Sequence, residues 1–156
     1  MKKTNAARML DKHKVEYKIL EYTVDENDLS ALHVAKDTGI NIKKIFKTLV
    51  CVDEKNKPLV ACIPGDGELD LKALAKVANC KKCTMIPLKD VLKTTGYIRG
   101  GCSPFGMKKQ FPTFLDESAL LHVKILVSAG LRGKQLEIEP KNMIDILDAK
   151  SAKLIF

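Results

Sequence analysis

The residues from Gly96 to Gly106, G-Y-I-R-G-G-C-S-P-F-G, form the stretch best suited to chemistry. Four glycines, one proline and one arginine fall within eleven positions. Glycine opens φ > 0 and lets a ligand come close to the main chain. Successive N–H groups can then converge into an anion-binding concavity. A second candidate is Lys47, within the apolar run Phe46-Lys-Thr-Leu-Val-Cys-Val52. By period two, Phe46, Thr48, Val50 and Val52 share one strand face, and Lys47, Leu49 and Cys51 the other. A lysine there is costly if buried without a partner. Either it snorkels to water from the start of the strand, or its ammonium projects into a pocket that binds an anion or a carbonyl. The turn Ala129-Gly-Leu-Arg-Gly133, with Ser128 at the strand end before it, is a third candidate.

Subtraction narrows the chemistry. The chain has no G-x-S-x-G elbow, P-loop, GxGxxG or HExxH. His13, His33 and His122 stand in unrelated settings, which argues against a Ser-His-Asp hydrolase. Backbone donors can still stabilise an oxyanion, worth about 10²–10³ in rate for one donor. An already activated ester needs little else.

Of five cysteines, Cys51 and Cys62 lie in strand-like runs, where a buried thiol acts as a small hydrophobe. Cys80-Lys-Lys-Cys83 has the spacing of a redox pair or half a zinc site, but no second half follows. A structural role is expected for the pair, with neither metal nor cofactor.

The net charge of +8 is unevenly spread. Residues 1–78 carry 14 basic and 12 acidic groups, and residues 79–156 carry 13 and 7. Between 79 and 115, Lys81, Lys82, Lys89, Lys93, Arg99, Lys108 and Lys109 face one acid, Asp90. The excess centres on the glycine-rich loop and favours a polyanion or a phosphate-bearing ligand. A solvated surface that keeps the protein soluble would look the same. No apolar run reaches membrane-spanning length, and Met1-Lys-Lys-Thr-Asn5 is no apolar signal segment. The cytoplasm is the expected compartment, without a membrane partner.

The elements that must position these residues follow from caps and periodicity. Thr4 caps a helix to about Lys14, and Val15, Tyr17 and Ile19 alternate in a strand that runs out at Tyr22. Asp28 is the expected cap of a helix through Lys36 that stops at Gly39, and it carries His33 in a polar surface or cap role. Phe46–Val52 and Leu59–Ile63 make a hairpin about the turn 53–58. Asp70 caps a helix bearing Leu71, Leu74, Ala75 and Ala78 inward. A short strand at Cys83–Ile86 and a helix from Pro87 to Thr95 lead into the glycine loop. Beyond it come a strand at 112–115, a turn-like helix at 116–121 and a hairpin of 123–128 with 135–139. A helix at 140–147 and a last strand at 152–156 complete the chain. These elements predict one α+β domain spanning residues 1–156, its sheet mixed and mostly antiparallel.

Three segments together carry a resemblance. Phe46-Lys-Thr-Leu49, Thr95-Gly-Tyr-Ile-Arg-Gly-Gly-Cys-Ser-Pro-Phe-Gly106 and Val127-Ser-Ala-Gly-Leu-Arg-Gly133 occur in the order found in the YbaK family. The chain most resembles its free-standing Cys-tRNA(Pro) deacylases, relatives of the editing domain inserted in bacterial prolyl-tRNA synthetases. The resemblance covers essentially the whole chain and implies a barrel-like α+β fold flanked by helices. It implies hydrolysis of the ester joining a wrong amino acid to the tRNA 3′ end. Lys47 matches the family's essential lysine, which orients the terminal adenosine and aminoacyl group, and Thr48 matches its neighbour. Gly100 and Gly101 match backbone donors near the scissile carbonyl, while Tyr22 and Ser128 match pocket-lining residues.

In the cysteine-specific branch the resemblance implies assistance by the substrate's own thiol, leaving Cys102 a bystander. Tyr97 either stacks on adenine or packs beneath the loop. Arg99, Lys108, Lys109 and Arg132 are candidates for tRNA phosphates near the CCA end, each equally well a solvated surface residue. The expected partners are the aminoacyl end of tRNA and a prolyl-tRNA synthetase. Two alternatives stand beside this reading. One is a deacylase for Ala-tRNA(Pro) or another small mischarged residue. The other is a non-catalytic RNA-binding module using residues 79–115, which a steep salt dependence without ester turnover would mark.

Overall fold

The computed structural model describes residues 3–156. Met1 and Lys2, on which part of the reading of the N-terminus rests, lie outside them. Helix α1 (Asn5–Lys12) starts where the Thr4 hydroxyl accepts from the Ala7 N–H, and it buries Ala6, Ala7 and Leu10. Strand β1 (Lys18–Glu21) follows and leaves Ile19 exposed, while Val15 and Tyr17 pack against the core just before it. In α2 (Ala31–Thr38) the cap is Ser30, not Asp28, and Gly39 ends the helix in the left-handed region. The Asp28 carboxylate instead accepts from the Ser30 N–H and hydroxyl. A serine can face both ways here, because its oxygen caps the helix while its proton goes to the carboxylate.

Strands β2 (Phe46–Asp53) and β3 (Pro58–Pro64) form the expected hairpin, with Lys47 opposite Ile63 and Thr48 opposite Cys62. Asp70 caps α3 (Leu71–Val77) through the Lys72 and Ala73 N–H groups. After β4 (Cys83–Met85), a single 3₁₀ turn at Leu88–Asp90 runs into α4 (Val91–Thr95). Strand β5 (Thr113–Asp116) leads to a 3₁₀ segment at Glu117–Leu121. Strand β6 (Ile125–Leu131) pairs with β7 (Lys134–Ile138), and α5 (Pro140–Leu147) and β8 (Lys150–Ala152) close the chain.

Two of these differ from expectation. The run Ala129–Gly133 is not a turn throughout, because β6 continues to Leu131 across a bulge between Ser128 and Leu131. The last strand lies at 150–152, and Ile155 contributes only an isolated bridge to Leu69.

The strands form two sheets, β1-β7-β6 and β4-β2-β3-β5-β8. All pairs are antiparallel except β3 with β5 and β5 with β8. The sheets touch at a parallel bridge between Ile45 and Leu126 but do not close into a continuous barrel. Period two then sorts the core. Phe46, Val60, Cys62 and Leu115 face Val127, Leu136 and Ile138 of the smaller sheet, with α1 and α5 around them. The opposite face, with Cys51, Leu59, Ala61 and Ile63, is covered by Leu74 of α3. The outer face of the small sheet buries Leu126 under Val34 of α2, with Leu20 and Tyr22 beside it.

Candidate active site

Pairing along β2 is incomplete. Strand β4 reaches only Cys51, Val52 and Asp53 on the edge away from β3. The Val50 carbonyl accepts from the Ile86 N–H at 3.0 Å, so it points to that edge. Backbone groups alternate along a strand, so Thr48 presents its N–H and C=O to the same side, where no strand continues the ladder. An open cleft of about 510 Å³ lies here. That volume is in the range of small-molecule sites. Its walls include Tyr22, Asp28, Lys47, Thr48, Gly100 and Ser128.

Lys47 is half-buried at the cleft, and its ammonium donates to the Gly65 carbonyl at 3.4 Å. The ordered contact is a neutral acceptor rather than a carboxylate, so the positive charge stays available to a ligand. The Ser128 hydroxyl accepts from the Gly130 N–H at 3.1 Å, a contact created by the bulge, and keeps its own proton to donate. Tyr22 stacks edge-on to His33 at a centroid distance of 6.3 Å. The His33 Nε2–H donates to the Thr23 carbonyl at 2.7 Å, which fixes its tautomer and ties residues 22–30 to α2. No histidine lines the cleft among the described residues.

The glycine loop is held from below. Tyr97 is buried beneath it and donates its hydroxyl to the Phe105 carbonyl at 2.6 Å, so it packs rather than stacks. Burial pushes the Tyr97 hydroxyl up to about 12, which keeps it a donor. Thr95 is fully buried; its hydroxyl donates to the Val91 carbonyl and accepts from the Tyr97 N–H. Ser103 and Phe105 are buried, and the Lys108 N–H closes the loop onto the Thr95 carbonyl at 3.0 Å. Gly100 takes φ +84° at the cleft, a conformation that L side chains rarely adopt.

The two glycines differ. Gly101 is buried behind the cleft, and its N–H donates to the Ile98 carbonyl at 3.0 Å. Among the described residues, the loop amides beside the cleft with no hydrogen bond are those of Arg99, Gly100 and Cys102. The Cys102 side chain also lines the cleft, but burial pushes its thiol up to about 11. It is therefore protonated at neutral pH and a poor nucleophile.

The four basic candidates separate as well. Arg99 stands at the cleft. Arg132 does not line it; its Nε–H donates to the Arg99 carbonyl at 2.8 Å and braces the loop. Lys108 lies along Gly96, and Lys109 lines a second cavity of about 380 Å³ with Cys80 and Phe111. There the Cys80 and Cys83 sulfurs lie 3.3 Å apart as free thiols. Among the described residues, no group of three or more His, Cys, Asp or Glu is arranged so that it could hold a metal ion. No helix of the described chain is long and apolar enough to cross a membrane.

Sequence reasoning missed two groups in the cleft. The open edge of Thr48 depends on where β4 stops. Gln135 of β7, opposite Ser128, also lines the cleft, and its Oε1 is buried with no hydrogen-bond partner. A glutamine in an alternating strand carries no sequence signal of that kind.

The chain belongs to the aminoacyl-tRNA editing domain family, whose sequence model matches residues 25–146. It is 53% identical over 152 residues to EbsC of Enterococcus faecalis, named as a candidate Cys-tRNA(Pro)/Cys-tRNA(Cys) deacylase, covering 97% of this chain and 93% of that protein. It is 32% identical over 93 residues to the proline–tRNA ligase of Fervidobacterium nodosum, covering 60% of this chain and 16% of the ligase. A solved structure described as a candidate trans-editing enzyme for prolyl-tRNA synthetase superposes with a TM-score of 0.83 at 23% identity, covering 100% of this chain and 99% of that one.

Proposed function

We propose that this protein hydrolyses the ester of mischarged Cys-tRNA(Pro) as a free-standing editing enzyme. The observation that carries the reading is the meeting of Lys47, Thr48, Gly100, Tyr22 and Ser128, from distant parts of the chain, in one cleft. The 53% identity to EbsC supports the cysteinyl substrate. In this reading the Lys47 ammonium orients the terminal adenosine and the aminoacyl group. The Gly100 N–H points at the scissile carbonyl and stabilises the oxyanion as it forms. Gly101 shapes the loop rather than donating, since its N–H is already engaged. Thr48 offers main-chain groups at the open strand edge, Tyr22 and Ser128 line the pocket, and Arg99 takes a phosphate near the CCA end.

The protonated Cys102 provides no enzyme thiolate. The assisting group in this reading is the substrate's own thiol, as the family resemblance implies. Lys108, Lys109 and Arg132 fit a second role, as loop supports or more distant contacts to tRNA. The partner class is tRNA, with a prolyl-tRNA synthetase as the source of the mischarged substrate.

The test is a deacylation panel of Cys-, Ala-, Ser- and Pro-tRNA(Pro), with and without prolyl-tRNA synthetase. Cys-tRNA(Pro) is expected to turn over fastest. Lys47→Ala is expected to stay folded and lose about 10²-fold or more of that turnover, as loss of an oriented charge does at such sites. Faster hydrolysis of Ala-tRNA(Pro) would move the substrate assignment, and full activity of Lys47→Ala would remove the role given to the lysine.

A further inference from the structure

Among the described residues, one buried side-chain nitrogen or oxygen lacks a hydrogen-bond partner. The Oε1 of Gln135 is buried and unmatched, on a residue only 6% exposed. Native proteins rarely leave such an acceptor without a partner, and an orphan beside a binding cleft suggests that a ligand supplies the missing donor. Gln135 faces Ser128 on β6 and Leu20 on β1 across the small sheet. Its strand neighbour Leu136 points into the main core, so the Gln135 side chain lies on the opposite face, where Leu126 and Val34 are buried. An acceptor in such apolar surroundings interacts more strongly with a donor than one in water does.

The charge around the cleft indicates which donor. Lys47 and Arg99 carry positive charge into the cleft, and Asp28 is its anionic lining residue. The Asp28 carboxylate is held below its usual range by the Ser30 hydroxyl and N–H that it accepts. A cationic group on the ligand is repelled from Lys47 and Arg99 and attracted to the Asp28 carboxylate, while Gln135 offers a neutral acceptor in the same cleft. A ribose hydroxyl can find acceptors at the open mouth, and a thiol is a weak donor. An ammonium is both a strong donor and a cation.

We infer that Gln135 is a substrate-binding, specificity-determining residue whose Oε1 accepts a hydrogen bond from the α-ammonium of the esterified amino acid. This inference rests on the editing function proposed above and adds the part of the substrate that marks it as an amino acid. It predicts poor binding of an otherwise identical acyl group that lacks the amine or carries it acylated.

Calorimetric titration with two hydrolysis-resistant ligands tests this. One is an adenosine carrying cysteine in 3′-amide linkage, and the other is its 3-mercaptopropionyl counterpart, which lacks only the amine. The unaltered protein is expected to bind the amine-bearing ligand about 10–100-fold more tightly, the scale of a hydrogen bond to a charged group. In Gln135→Met, of similar length, and in Gln135→Leu, that ratio is expected to fall to within about 3-fold, with the desamino ligand bound as before. Neither change leaves an orphaned acceptor, so melting temperatures are expected to hold or rise. A ratio unchanged in both variants overturns the inference, as does equal weakening of both ligands. The editing function fails separately, if the unaltered protein leaves Cys-tRNA(Pro) intact.

Discussion

One side of the cleft is the glycine loop, fixed by groups that are out of water: Tyr97, Ser103, Phe105 and Thr95 are all buried beneath it. The other side includes residues 22–30, which are mostly exposed. That segment is held by polar contacts: Thr23 N–H to Asp37, His33 to the Thr23 carbonyl, and Asn27 N–H to Asp25. Buried hydrogen bonds lose much when broken, whereas exposed ones are replaced by water. In the proposed function the loop aims an amide at a carbonyl, and its buried supports set it before substrate arrives, as electrostatic stabilisation of an oxyanion requires. The mostly exposed segment 22–30, which in the proposed function meets the amino acid, has the few buried contacts typical of segments that admit ligands.

This contrast can be broken from either side. The largest effect is expected at Gly100, where φ is +84° and an added Cβ would lie 3.2 Å from Arg132 Nε and from Leu29 Cδ1. Gly100→Ala is expected to cost about 1–2 kcal/mol of stability for the left-handed backbone, read by thermal melting. Turnover of Cys-tRNA(Pro) is expected to drop about 10²-fold, comparable with removal of one oxyanion donor.

Next comes Tyr97→Phe, which leaves the Phe105 carbonyl without the hydroxyl that now reaches it at 2.6 Å. Stability is expected to fall by about 1–3 kcal/mol, and kcat to fall more than KM rises, because the preset wall has loosened. On the other side, His33→Ala removes an exposed tie and is expected to cost no more than about 1 kcal/mol. Its signature would be the reverse, a KM raised several-fold with kcat nearly kept. If Tyr97→Phe raised only KM, or His33→Ala mainly lowered kcat, the division between fixed and adaptable walls would be wrong.

The smallest effect is expected at Cys102. Its thiol is pushed up to about 11 by burial, so the thiolate fraction is small at neutral pH and grows until the pH approaches that value. Alkylation by iodoacetamide should accelerate steadily with pH over the alkaline range, while Cys102→Ala should keep turnover within about 2-fold. A large loss in that variant would return the thiol to the mechanism.

Much of the fold could be read from local chemistry. The caps at Thr4 and Asp70, the left-handed stops at Gly39 and Gly96, and the β2–β3 hairpin depend on neighbours within a few residues. The two parallel pairings, β3 with β5 and β5 with β8, join segments tens of residues apart, and no turn announces them. The continuation of β6 to Leu131 hides for a related reason: a bulge breaks the period that marks a strand, and Ala-Gly-Leu-Arg-Gly reads as a turn.

At the site, Lys47 and the glycine loop stood out by residue type. What each amide does there did not, since the hydrogen bond of Gly101 to Ile98 is a matter of loop conformation. The same holds for Asp28 and Ser30, two good caps two residues apart, whose division of labour only three-dimensional packing decides. Gln135 was invisible because its unmet acceptor is a property of its surroundings.

The final glycine of the loop ties the cleft to the first helix. An added Cβ at Gly106 would lie 2.6 Å from the Asn5 carbonyl carbon and 2.8 Å from the Ala6 nitrogen, and the Gly106 N–H meets the Met9 sulfur at 3.3 Å. Helix α1 is therefore a keystone, set outside the stretch from 25 to 146 that carries the family's signature. The segment that looks like the enzyme is smaller than the unit that works as one. In the proposed function, fraying of the first turns of α1 would reach the cleft as a change in the aim of an amide, so this helix would act as a control point for catalysis although none of its described residues lines the cleft.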